Sequence, residues 1–198
     1  MKLKPSAKQL KFLNWEMGVF FHFGIRSYYV GHRDWDNREM SLSAFNPEYL
    51  DCDQWNRGAK NAGFKYTILT CKHHDGFANW PSKYTDYSVK NTPWKDGKGD
   101  VVRDFTDACR KYGIKVGLYY SPTQFGSVKM EPKEYDDYFI NQISELLTDY
   151  GKIVDKIINN LPEHLCVGVD KYVIMPNHIH IIFIFKENII EFCMKTDC

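Results

Sequence analysis

Two adjacent histidines, an acid and a glycine, His73-His74-Asp75-Gly76, directly follow a short apolar, β-branched run, Thr67-Ile68-Leu69-Thr70-Cys71, and its neighbour Lys72. The period of that run predicts a buried strand through about Cys71, with the polar group just past its C-terminal end. Loops held by a rigid scaffold are where catalytic and binding side chains collect. Neighbouring strand residues point to opposite faces, so both imidazoles can serve one site only where the strand is ending. The plainer reading is a capped turn whose imidazoles are hydrogen-bonded to neighbours. Cys71 could be the nucleophile of a Cys–His pair, although a buried strand-end thiol is its more ordinary state. Asp75 could be a catalytic carboxylate; its simpler role is to order the loop by accepting backbone amides.

The flanking elements decide between a site and a turn. Ser6 to Met17 reads as a short helix with Ser6 as its cap. Gly18 to Gly24 reads as a buried strand carrying His22 near its end, followed by an aromatic and charged loop from Tyr28 to Pro47. Tyr49 to Ala62 is a predicted helix ending at Gly63, and the histidine-bearing strand runs from about Lys65 to Cys71. After a loop from Asn79 to Gly99, Asp100 can cap a helix over Val101 to Tyr112 that Gly113 ends. Ile114 to Ser121 is a third strand stopped by Pro122, and Pro132 to Tyr150 a long helix with proline in its first turn. Alternating strands and helices with long crossovers call for parallel strands and right-handed connections. His22, His73, His74 and the pair Tyr119/Tyr120 then all fall at or just past the C-terminal ends of successive strands. That edge is where α/β sheets and barrels bind ligands, so a site is favoured over scattered structural histidines.

Composition narrows the class. The formal net charge of +1 gives no reason to expect nucleic acid or an anionic membrane as a partner. The 6 cysteines show no Cys-x-x-Cys pair and no zinc-like spacing, and read as reduced structural thiols. The N-terminus lacks the apolar core of a signal peptide, and no run is long enough to span a bilayer. A cytoplasmic protein is the expectation. The aromatic share of 16%, with every tryptophan at or before Trp94, directs the search for a ligand to the front of the chain.

Gly18-Val19-Phe20-Phe21-His22-Phe23-Gly24, Phe45-Asn46-Pro47, Lys72-His73-His74-Asp75-Gly76-Phe77, Trp80-Pro81-Ser82 and Tyr84-Thr85-Asp86-Tyr87-Ser88 together resemble the α-L-fucosidases of glycoside hydrolase family 29. Asp100-Val101-Val102 and Gly117-Leu118-Tyr119-Tyr120-Ser121-Pro122 fit the same pattern, so the match runs from about Leu13 to Gly151. The resemblance implies a (β/α)8 barrel that removes terminal α-L-fucose from glycans with retention, without metal or cofactor. It implies that His22, His73 and His74 bind fucose hydroxyls, that Trp35 and Glu39 belong to the same pocket, and that one of Tyr119 and Tyr120, with Tyr120 preferred, lines it. Neutral imidazoles and a phenol both donate and accept, as hydroxyls require, while aromatic faces pack against a sugar. The implied partner is fucose or a fucosylated glycan.

A retaining glycosidase also needs two carboxylates. In the family the nucleophile sits in a Trp-Phe-Asp-Gly-like segment after a Tyr-Gly motif; here Tyr150-Gly151 is followed by Lys152-Ile153-Val154-Asp155, and Asp155 has the wrong neighbours for the role. The expectation is therefore a truncated, inactive α/β chain: about three βα units of a (β/α)8 barrel over residues 1–151, then a tail of different origin over 152–198. Leu161-Pro162-Glu163-His164 and the run from Val169 through Met175-Pro176-Asn177-His178-Ile179-His180 resemble the REP-associated tyrosine transposases of the HUH superfamily. That resemblance implies a fusion at Tyr150-Gly151, a tail of one helix and two strands, and metal-binding roles for His178 and His180, whose spacing puts both on one strand face. The tail strands could pair as a hairpin and cover a sheet edge. With barrel units missing, exposed edges are expected to promote self-association and marginal stability.

Overall fold

The computed structural model of the chain describes residues 5, 7–33, 38, 40–123, 130–150, 169–175 and 178–184. Helix α1 (Ala7–Leu13) leads to β1 (Gly18–Phe21), α2 (Cys52–Asn61) to β2 (Tyr66–Lys72), α3 (Val101–Tyr112) to β3 (Lys115–Tyr120), and α4 (Pro132–Glu145) follows. Two further strands, β4 (Val169–Met175) and β5 (His178–Ile184), complete one sheet of order β1-β2-β3-β5-β4. The first three strands are parallel, with Phe20 opposite Ile68 and Leu69 opposite Leu118, as the crossover lengths require.

The helix limits follow from local chemistry. Asp51 caps α2 by accepting the Gln54 amide at 2.8 Å, and Asp100 caps α3 by accepting the Arg103 amide at 2.9 Å. Gly113 ends α3 in the left-handed region at φ 60°, where a Cβ would be strained, and so turns the chain straight into β3. The first helix is shorter than the sequence pattern suggests, because Asn14 and Trp15 form a turn and Glu16 takes φ 56°. The long helix after Pro132 widens into a π-type turn at Leu146–Tyr150. That turn seats Tyr150, whose hydroxyl donates to Asp100 Oδ2 at 2.8 Å and whose ring lies under the Arg103 guanidinium.

The core fills the space between the sheet and α2, α3 and α4. Leu69, Cys71, Leu118 and Tyr120 face Val101, Val102, Phe105, Cys109 and Ile143, all buried. Phe21 stacks on Trp55 of α2 at 5.1 Å and meets Phe105 of α3 edge-on at 5.8 Å. A polar knot lies inside this layer: Asn56 Oδ1 accepts the Thr67 hydroxyl at 2.8 Å and the Cys109 thiol at 3.3 Å, while its amide donates to the Cys52 carbonyl at 3.1 Å. Asn56 joins α2, β2 and α3 through one buried side chain. Asn56→Leu is expected to lower stability by about 1–3 kcal/mol, because it strands buried polar groups without a partner. A urea midpoint unchanged from the parent chain would refute this.

The sheet continues past β3 in the antiparallel sense. Gly117 to Tyr120 pair with Ile184 to Ile181 of β5, and β5 pairs with β4 as a hairpin. The outer edge of β3 is thus covered, and β1 and β4 become the sheet's two borders. The link Pro176-Asn177, the helix expected in the tail and Asp155 lie outside the described residues. Among the described residues, no helix is long and apolar enough to cross a membrane.

Candidate active site

The face of the sheet opposite the helices carries the candidate chemistry, and a single irregularity puts it there. Alternation along β2 turns Thr67, Leu69 and Cys71 toward the helices and Ile68 and Thr70 away from them. Continued unbroken, it would turn Lys72 to the open face and bury His73. Instead Thr70 pairs with Tyr119 and Lys72 with Tyr120, so Cys71 is one extra residue on β2. Such a bulge inverts the phase of everything after it. Lys72 therefore enters the core side, its ammonium 4.9 Å from the centre of the Tyr120 ring, and His73 emerges on the open face.

There the His73 ring lies 4.5 Å from His22, 4.2 Å from His74 and 5.8 Å from Tyr119, centre to centre. Phe20 completes the wall, 6.1 Å from His22 and 5.4 Å from Tyr119. Three histidines from two strand ends are gathered at the C-terminal edge, as their positions in the chain suggest. Beside them a cleft of about 130 Å³ is lined by His22, Arg26, Thr70, His73, Asp75 and Asn79, among others. The Asn79 amide donates to the Phe23 carbonyl at 2.7 Å and the Thr70 carbonyl at 2.8 Å, tying the end of β1 to β2.

Tyr120 does not join this group. Strand alternation sends it to the helix side, where it is fully buried and its hydroxyl donates to Gln142 Oε1 at 2.6 Å. Tyr119, one residue earlier, is the tyrosine beside His73, and the preference for Tyr120 gives way to it. Trp35 and Glu39 lie outside the described residues. His178 and His180 sit on β5 opposite Met175 and Val173; since Ile181 pairs with Tyr120, the strand carries them toward the edge at which β3 ends. Among the described residues, no cluster of three metal-ligating side chains is present.

The alternative roles at the strand end are also resolved by burial. Cys71 is inaccessible, and burial pushes its thiol well above the ordinary range, with the Asp100 charge adding to the effect. It remains protonated at neutral pH, which removes the nucleophile reading. Asp75 Oδ1 accepts the Phe77 amide at 2.8 Å and so orders the loop.

Sequence reasoning passed over Lys72 and Ser121. The Lys72 ammonium donates to the Ser121 carbonyl at 2.9 Å and to the Thr123 carbonyl at 3.4 Å. His74 Nδ1 lies 2.5 Å from Ser121 Oγ. The available signal was a lysine inside an otherwise apolar strand, a place where lysine is seldom tolerated unless it is held. Burial lowers the Lys72 pKa to about 7, opposed by the charge of Asp75. The folded state thus binds fewer protons at this position than the unfolded chain between about pH 7 and the ordinary lysine range. Stability should rise with pH across that window, by up to about 1.4 kcal/mol per unit. Urea midpoints at pH 6.5 and 9 test this against Lys72→Met, in which the rise should vanish; a parallel rise in the variant would refute it.

Comparison with known proteins identifies the family. The family model for alpha-L-fucosidase matches residues 2–160, past the boundary expected at residue 151. Alpha-L-fucosidase 1 of Arabidopsis thaliana is 43% identical over 150 residues, which is 75% of this chain and 29% of that protein. Among solved structures, a glycoside hydrolase 29 family member from an unknown rumen bacterium shares 46% identity with a TM-score of 0.68, covering 74% of this chain and 26% of the other. Alpha-L-fucosidase isoenzyme 1 from Paenibacillus thiaminolyticus shares 31% with a TM-score of 0.63, over 73% and 41% respectively. The chain thus spans well under half the length of these relatives. The match covers every element from β1 to α4, and the chain belongs to the α-L-fucosidase family.

Proposed function

We propose that these residues form the sugar-recognising part of an α-L-fucoside hydrolase of the (β/α)8 type, with His22, His73, His74 and Tyr119 contacting the hydroxyls and apolar face of fucose. The observation that carries this is the gathering of two further imidazoles and a phenol ring within 6 Å of the His73 ring at the C-terminal strand edge. Imidazoles and phenols can each donate or accept, which suits a neutral polyol, and an aromatic wall suits the apolar side of a pyranose. Hydrolysis would further require a nucleophile and an acid/base carboxylate about 5–5.5 Å apart. Among the described residues, the buried acids are Asp75, which accepts the Phe77 amide, and Glu145, which accepts from the Trp80 indole and the Lys83 amide. Neither offers such a pair among the described residues, so sugar recognition is the part of the activity that these residues support.

Titration calorimetry with L-fucose tests the reading. Binding is expected in the parent chain, weakened roughly tenfold or more in His73→Ala/His74→Ala, since two net hydrogen bonds of about 1 kcal/mol each exceed the 1.4 kcal/mol of a decade. Equal affinity of the two chains, or affinity for glucose as high as for fucose, would overturn it.

A further inference from the structure

We propose that Lys72 is a positioning residue of the histidine site, determining through Ser121 which ring nitrogen of His74 carries the proton. The inference rests on His74 belonging to the sugar site proposed above. Ser121 is held from two sides by the same residue: its amide donates to the Lys72 carbonyl at 3.0 Å, and its carbonyl accepts the Lys72 ammonium at 2.9 Å. Both atoms of this clamp are buried, and the bulge at Cys71 is what brings the amine to this side of the sheet.

The Ser121 hydroxyl has one proton and two competing acceptors. His74 Nδ1 lies at 2.5 Å, the Thr123 carbonyl at 3.4 Å. The Thr123 amide, in turn, donates to Ser121 Oγ at 3.2 Å and takes one of its lone pairs. Hydroxyl bonds are strongest near 2.7–2.8 Å and weak at the longer separation. The Lys72 amine, a donor whether charged or neutral, also gives a hydrogen bond to the Thr123 carbonyl, which reduces the pull of that carbonyl on the hydroxyl. The serine proton is therefore directed to Nδ1, and neutral His74 carries its own proton on Nε2. Such orientation of an imidazole by the partner of its other nitrogen is the general way a tautomer is set. A fixed Nε2–H makes His74 a hydrogen-bond donor to a sugar oxygen, where a freely exchanging ring would be donor and acceptor by turns. The residues involved come from the last residue of β2 (Lys72), the turn just after it (His74) and the segment just past β3 (Ser121), so the relay links two strand ends of the site.

Nitrogen-15 NMR of the full chain, labelled at histidine and recorded where the imidazole is neutral, tests the relay directly. The parent chain should show His74 with an unprotonated Nδ1 and a protonated Nε2. In Lys72→Met the two resonances should shift toward the average of exchanging tautomers, and Lys72→Arg, which keeps the donors, should restore the parent pattern. A purely structural lysine would lower the melting temperature of Lys72→Met and leave the resonances in place, and that result overturns the proposal. So does a parent chain with the proton on Nδ1. If Lys72→Met does not fold, Ser121→Ala decides: with Lys72 intact it must scramble the tautomer, and an unchanged pattern overturns the relay. A parent chain that shows the Nε2–H form yet takes up no L-fucose supports the relay and refutes the sugar reading, so the two fail separately.

Discussion

A polypeptide of these 198 residues, incubated with nitrophenyl α-L-fucoside, is expected to release no nitrophenol above a His73→Ala/His74→Ala control. Hydrogen bonds to a sugar hold the substrate; they do not supply the group that attacks the anomeric carbon or the acid that protonates the leaving oxygen. General acid–base assistance alone is worth about 10²–10⁴-fold, and the covalent route depends on the nucleophile as well. Asp75 and Glu145, the buried acids of the described region, are both engaged by backbone or indole donors rather than paired across the cleft. Clear turnover in the parent that disappears in the control would sink the expectation, and would place a working carboxylate pair outside the described residues or on a second copy of the chain.

The largest effect on stability is expected from Trp80→Ala. The indole is 1% exposed and lies 6.4 Å from the Tyr120 ring, and its Nε1–H donates to Glu145 Oε2 at 2.9 Å. The other carboxylate oxygen of Glu145 accepts the Lys83 amide at 2.8 Å, while Gln142, one turn earlier on α4, bridges the Tyr120 hydroxyl and Ser82. Trp80 is therefore the point at which the loop after β2 grips α4. Truncation to alanine costs about 3–5 kcal/mol for the cavity. A further 1–3 kcal/mol follows from leaving a buried carboxylate short of a donor. Against a typical total of 5–15 kcal/mol this is enough to release α4 or unfold the domain. Hydrogen exchange should show protection lost first across Pro132–Glu145. Trp80→Phe, which keeps most of the volume, should lose only the hydrogen-bond part. If the urea midpoint of Trp80→Ala matches that of Trp80→Phe, the cavity argument fails.

Much of the fold could be read from the chain because its signals are local. Asp100 and Gly113 mark both ends of α3 by capping chemistry that needs no tertiary contact. The apolar runs ending in His22 and in His73-His74 place strands and polar ends alike, so the edge carrying the site follows from periodicity and connection length. The identities His22, His73 and His74 as a group were legible for the same reason, and they lie within segments that carry the resemblance to α-L-fucosidases.

What the sequence could not decide was which way the side chains point. Tyr119 and Tyr120 are chemically identical neighbours, and only the register of β3 against β2 turns Tyr119 to His73 and Tyr120 to Gln142. The phase of β2 is inverted by one extra residue at Cys71, and no local signal in Thr-Cys-Lys-His announces it, because a bulge is a property of two paired strands. The same inversion buries Lys72, whose polar amine is tolerable there because carbonyls 49 and 51 residues away accept its hydrogen bonds. Local composition determined the strands, the helices and the residue types at the edge. Pairing between segments distant in the chain decided which of those residues meet, since a side chain's direction depends on register and register is set by packing across the whole sheet.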